Sequence, residues 1–194
     1  SVPPTPPEQP QYSAPQQPEK PRRKKKKFNG GKLVRSAVAL VLAAAMGFAG
    51  GFVGARILDM WRGKFALCAF PSDTLRTADE NAVMRFILKE HPDVIVHTAA
   101  LSNTQYCQQE PEDSFRANVL LPEWVAKGAE EVGAKLLSCS SDQVYAGVTQ
   151  RGALAETLPL SPSNVYGQHK LEAEARVLAR CPDAVALRLP WMYD

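Results

Sequence analysis

Metal-binding patterns are missing from this sequence. Its four cysteines, Cys68, Cys107, Cys139 and Cys181, are far apart and form neither a CxxC pair nor a ligand spacing with histidine. That argues against a zinc-type site, so no metal is expected. Scattered free thiols fit a reducing compartment, although four cysteines can also pair in an oxidising one. Net charge is small, +3 over 194 residues. The basic block "KPRRKKKK", Lys20 to Lys27, is therefore offset by a mildly acidic remainder. It has no interleaved aromatics and no neighbouring basic helix, so nucleic acid is not an expected partner. From Ser36 to Ala55 charge is absent altogether.

Proline, by contrast, is concentrated. Eight of the sixteen prolines fall between Pro3 and Pro21, among Gln, Glu and Ser. Such a stretch has too little apolar surface to offset its ordering entropy, so residues 1–32 are read as a disordered, polybasic tail. It is a solvated spacer or, less simply, a ligand for a proline-reading domain. Residues 33–56 are an apolar segment with two exclusive readings. One is a membrane span, with the preceding cations placing the N-terminus in the cytoplasm. The other is the first strand and glycine turn of a nucleotide-binding fold. Five of the ten residues in "AVALVLAAAM", Ala37 to Met46, are alanine. Alanine and leucine favour a helix, whereas a central parallel strand is usually rich in Val and Ile. The composition predicts a helix over Ala37 to Met46.

Residues 57–194 alternate strand and helix. "FALCAF", "DVIVHTAA", "AKLLSCSS" and "AVALRLPW" are apolar runs of strand length. Between them, "TADENAVMRFILKEH" opens with Thr77 as N-cap and Glu80 three residues on, and then places Val83, Phe86 and Ile87 on one face. Asp113 to Val132 reads as a helix kinked at Pro122. Asn164 to Arg180 reads as another. This alternation predicts an α/β fold, a Rossmann-like doubly wound parallel sheet. Ligands bind such sheets beyond the carboxyl ends of the strands. Ala99, Ala100, Ser140 and Ser141 lie at strand ends.

Tyr166 and Lys170 are four residues apart on the last helix, so both face one ligand. A phenol ionises near ~10, and a neighbouring cation brings that value towards neutrality. Tyr-x-x-x-Lys alone also fits a half-buried tyrosine beside a surface lysine. Ser141, at the end of a neighbouring strand, adds a hydroxyl placed to meet developing negative charge on a substrate oxygen.

The ordered blocks "HPDVIVHTAALSNTQYC", "FRANVLLPEWVAKGAEEVGAKLL", "SSDQVYAG", "SPSNVYGQHKLEAE" and "ALRLPWMYD" resemble the extended short-chain dehydrogenase/reductases. They are most similar to the dTDP-4-dehydrorhamnose reductase branch, over about Gly51 to the C-terminus. That branch includes regulatory relatives of methionine adenosyltransferase. The resemblance implies an NADPH- or NADH-dependent reductase of a nucleotide-linked keto sugar. Tyr166 would be its acid-base, Lys170 would hold the cofactor ribose and lower the tyrosine pKa, and Ser141 would polarise the carbonyl. Gly51, Gly54, Ala99 and Ala100 would lie against the cofactor, and Asn118 would be structural.

Two departures accompany the resemblance. Phe48 stands where the first glycine of the turn is expected, and Arg76 near an expected acidic residue. The chain stops at Asp194, short of the family's substrate lobe, so a fragment is expected. The tail and apolar segment are similar to the N-terminus of a membrane-anchored bacterial protein, which raises a composite chain. The competing expectation is therefore a non-catalytic binding or membrane-tethered protein on the reductase fold. The first reading is cytoplasmic and the second membrane-anchored.

Overall fold

The computed structural model describes residues 38–42, 66–70 and 77–190. Five strands form one parallel sheet: β1 Val38–Leu42, β2 Ala66–Ala69, β3 Val94–His97, β4 Lys135–Ser141 and β5 Val185–Leu189. Their spatial order is β2-β1-β3-β4-β5.

Strand β1 overturns, at Val38–Leu42, the helix expected over Ala37 to Met46, whose other residues lie outside the described ones. Leu40 pairs with Cys68 of β2 on one side and with Ile95 of β3 on the other. A segment hydrogen-bonded on both edges inside a sheet is not also a lipid-facing helix, so the membrane reading of Ser36 to Ala55 falls with it. The reason is tertiary. Without β1, β2 would have no neighbour and β3 would present an open edge, and ten or so residues of alanine preference do not outweigh a central ladder. Among the described residues no helix is long and apolar enough to cross a membrane.

Four strand-to-strand connections define the layers. The chain leaves β1 for β2 in one direction, then returns past β1 to β3 and continues outward to β4 and β5. Direction reverses at β1, so the crevice beyond the carboxyl ends of β1 and β3 is the topological switch point. Helix α1 (Glu80–Glu90) leads into β3. Helices α2 (Thr104–Gln109), α3 (Pro111–Phe115) and α4 (Leu121–Val132) lead into β4, and α5 (Val165–Arg180) into β5.

Helix α1 packs on α4, and α4 on α5, forming one layer against the sheet. The core between them is Val83 and Ile87 of α1, Val125 and Ala129 of α4, Val177 of α5, Ile95 of β3 and Leu136 of β4. A Cβ on Gly128 would lie 2.6 Å from the Ile87 Cδ1, so glycine sets how closely α1 and α4 approach. Val83 and Ile87 are fully buried, as their spacing predicts.

Local expectations are corrected in two places. The N-cap of α1 is Asp79 rather than Thr77, and its carboxylate accepts from the Ala82 N–H at 2.7 Å. A carboxylate there also meets the positive end of the helix dipole. The helix expected from Asp113 begins at Pro111 and runs on through a π-helical turn, Arg116–Leu120, before α4. Pro122 has no N–H for the carbonyl of Asn118, and in a regular α-helix its ring would press on that carbonyl. The wider π turn just before it takes up this mismatch without ending the helix.

Candidate active site

Helix α5 runs antiparallel to the strands, so its first turn comes to their carboxyl ends. Asn164 caps it by accepting from the Gly167 N–H at 2.7 Å. The Asn164 amide also donates to Gln143 Oε1 at 3.1 Å, tying the helix start to the 3-10 turn Asp142–Tyr145 that follows β4. The two segments approach so closely that a Cβ on Gly167 would collide with the Gln143 carbonyl and lie 2.9 Å from Pro162 Cβ. That approach brings Tyr166 to Ser141.

The Ser141 hydroxyl accepts from the Gln143 N–H at 3.2 Å. Its single proton is donated to Asp142 Oδ1 at 3.1 Å, and the hydroxyl lies near enough to the phenol of Tyr166 to pull that group's pKa down. Tyr166 is 6% exposed, and burial pushes its phenol up to about 12, against the pull of the Ser141 hydrogen bond. Negative charge on Cys107, Asp142 and Cys139 would push in the same direction as burial. The phenol is therefore protonated at neutral pH.

Lys170 lies one helical turn deeper and is 3% exposed. Its ammonium donates to the Cys139 carbonyl at 2.7 Å, which leaves two N–H groups for a ligand among the described residues. Burial brings it down to about 8, opposed by Cys139 and Glu174. The expected lowering of the Tyr166 pKa by Lys170 is not what this geometry produces. The ammonium is turned to the β4 backbone, and desolvation dominates the phenol.

The approach to β3 is small and buried. Ala99 is 2% exposed and Ala100 is partly exposed, directly after the strand. The next residue, Leu101, is held by Asn118: its N–H donates to Asn118 Oδ1 at 2.9 Å, and Asn118 Nδ2 donates back to its carbonyl at 3.0 Å. Asn118 Nδ2 also reaches Ser114 Oγ at 3.2 Å, which is 2.8 Å from His169 Nδ1. Gly51, Gly54, Phe48 and Arg76 lie outside the described residues. Among the described residues no three His, Cys, Asp or Glu side chains gather in a metal-holding group.

Sequence reasoning missed His97. At the end of β3 it is 1% exposed, and neither ring nitrogen has a hydrogen-bond partner among the described residues. Burial first, then the charge of Lys170, brings it down to about 3, so it is neutral. Ser140 Oγ, buried at the end of β4, is likewise without a partner there. Sequence reasoning also missed the pairing of Arg188 with Glu174, described below. Neither has a local signal, because burial and partners come from separate strands.

A parallel sheet with a switch point, and a Ser, Tyr and Lys set at its carboxyl edge, defines a Rossmann-like α/β protein. The chain matches the family described as RmlD substrate binding domain over residues 45–194, and it belongs to that family. It is 34% identical over 146 residues to the dTDP-4-dehydrorhamnose reductase of Mycolicibacterium smegmatis, covering 75% of this chain and 44% of that protein. It is 38% identical over 121 residues to the methionine adenosyltransferase 2 subunit beta of Xenopus laevis, covering 62% of this chain and 36% of that one. The chain thus spans less than half of either relative. Among solved structures, a dTDP-4-dehydrorhamnose reductase from Clostridium acetobutylicum superposes with a TM-score of 0.72 at 25% identity, covering 80% of this chain and 54% of that one. One from Bacillus anthracis, in complex with NADP, has the same fold, with a TM-score of 0.74 at 20% identity over 84% of this chain and 56% of that one.

Proposed function

We propose that this chain carries the cofactor-binding and acid-base half of an NADPH- or NADH-dependent reductase of a nucleotide-linked keto sugar. The observation that carries the reading is the meeting of Ser141 and Tyr166 at the end of β4, with the buried Lys170 ammonium one turn below. The residues present fit a dinucleotide's nicotinamide-ribose end. Two N–H groups of a buried cation face no protein acceptor among the described residues, and the chain beside them is alanine at 99 and 100. Hydride is what a bound NADPH or NADH supplies.

The side chains do the rest. Tyr166 is protonated at neutral pH, the state a reductase needs when the substrate carbonyl oxygen gains negative charge and must take a proton. Losing that proton leaves a phenolate that burial disfavours. Ser141 counters this by turning its proton from Asp142 to the oxygens of substrate and tyrosine. Lys170 holds ribose hydroxyls through the N–H groups it does not give to the Cys139 carbonyl. Burial excludes water and keeps each of these interactions strong.

The first test is calorimetric titration with NADPH and with NADH. Micromolar binding that weakens at least about tenfold in Lys170→Met but not in Tyr166→Phe supports the reading. No heat with either nucleotide overturns it. The identity with a methionine adenosyltransferase subunit favours a second reading, a binding subunit on the same fold. Cofactor binding without consumption of NADPH in the presence of a dTDP-4-keto sugar would select it.

A further inference from the structure

Glu174 is an unusual neighbour for a cofactor-holding lysine. It is 8% exposed and one turn after Lys170 on the buried face of α5, where an i,i+4 ion pair would ordinarily form. The pair is not made. Both Glu174 oxygens are taken by Arg188 of β5: Nε donates to Oε1 at 3.1 Å and to Oε2 at 3.2 Å, and Nη2 donates to Oε2 at 2.8 Å.

Arg188 is itself held from three directions. Its Nη1 donates to the Tyr145 hydroxyl at 2.7 Å and to the Glu156 carbonyl at 3.1 Å, and its guanidinium lies over the Tyr145 ring at 5.0 Å. A planar fork fixed in this way presents two N–H edges to one carboxylate, which a lysine in its place would not do.

We propose that Arg188 is a positioning residue for Lys170: by occupying both oxygens of Glu174, it keeps that carboxylate from drawing the ammonium down the helix and away from the strand ends. The direction follows from topology. Because α5 runs away from the carboxyl edge of the sheet, Glu174 lies deeper than Lys170, and an ion pair between them would pull Nζ out of the crevice. With Glu174 occupied, Nζ reaches the Cys139 carbonyl of β4 instead. The titratable groups that act on Lys170 are then His97 of β3, Cys139 of β4 and Glu174 of its own helix, and only Glu174 can compensate its charge at neutral pH. The weak hold of that compensation agrees with an ammonium brought down to about 8.

This inference rests on the proposed role of Lys170, but its test does not. The Lys170 ammonium is titrated by NMR in protein carrying 13C- and 15N-labelled lysine, with Lys170→Arg assigning the signal. Arg188→Gln frees Glu174, and the Lys170 midpoint rises by about one unit or more, as an opposite charge at ion-pair distance requires. Arg188→Gln with Glu174→Gln removes the released carboxylate and brings the midpoint back to the parent value or below. Loss of packing alone would not reverse in this way. If Arg188→Gln does not fold, Arg188→Lys, which holds one Glu174 oxygen, shifts the midpoint upward by a smaller amount. An unchanged midpoint in the folded variant, or a double variant that stays high, overturns the inference. NADPH affinity at pH 7 falls about tenfold in Arg188→Gln and recovers in the double variant. If the parent chain binds no NADPH, the functional reading fails while the titration still decides the role of Arg188.

Discussion

Acidification should unfold this protein partly through one residue, His97. Its ring is 1% exposed, both nitrogens lack partners among the described residues, and Lys170 is close enough to oppose a second charge. The folded ring titrates at about 3 and the unfolded one near the ordinary 6.5. The sign follows from that depression. Above 6.5 both states are neutral and His97 has no effect on pH dependence. As pH falls below 6.5 the unfolded chain takes a proton that the folded chain refuses, and stability is lost until about 3. The limiting slope is about 1.36 kcal/mol per pH unit, so the loss between pH 6.5 and 4.5 is on the order of 2 kcal/mol from this side chain alone. That is a large share of a domain's usual margin of about 5–15 kcal/mol. The perturbation is His97→Leu, which keeps an apolar side chain of similar bulk and removes the proton site. Urea unfolding at pH 7, 5.5 and 4.5, followed by circular dichroism, gives the difference between parent and variant. His91 and His169 are present in both and cancel. At pH 7 the variant should be at least as stable, since two buried unpartnered nitrogens are lost. Parallel loss of stability in the two proteins between pH 6.5 and 4.5 would refute the reasoning.

Three further outcomes follow from the site. Gly167→Ala forces α5 off the Gln143 carbonyl and should destabilise by about 1–3 kcal/mol in urea unfolding; it should also shift the Tyr166 phenolate absorbance titration, since the Ser141 contact depends on that approach. Lys170 must be charged to hold ribose hydroxyls, so NADPH affinity should weaken as pH rises through about 8, and a flat calorimetric profile from pH 7 to 9.5 would count against its role. Asn118→Ala leaves the Leu101 N–H and carbonyl without their partner, costing about 1–3 kcal/mol for each group left unpaired; amide exchange of Leu101 should accelerate with it.

Much of this architecture is legible in short stretches. The apolar spacing of Val83 and Ile87 determines the buried face of α1, and the run Val94–His97 is a strand on composition alone. Tyr166 and Lys170 share a helix face because four residues make about one turn, and Asn164 caps that helix with its own side chain. Hydroxyl, phenol and ammonium chemistry is carried by those residue types wherever they fold. These features depend on neighbours within a few residues, which the sequence contains. Other features depend on partners far along the chain. Val38–Leu42 belongs to the alanine-rich run Ala37 to Met46, whose composition favours a helix, yet it is a strand because β2 and β3 leave a slot that only an extended segment fills. Lys170 meets the carbonyl of Cys139, 31 residues earlier, and Arg188 reaches back 14 residues to Glu174 and 43 to Tyr145. His97 reads as an ordinary polar residue at a strand end, and only the assembled fold removes it from water. Local spacing determines which groups can act; the packing of distant strands decides their charge states and the directions in which they point, because desolvation and ion pairing are properties of the assembled interior.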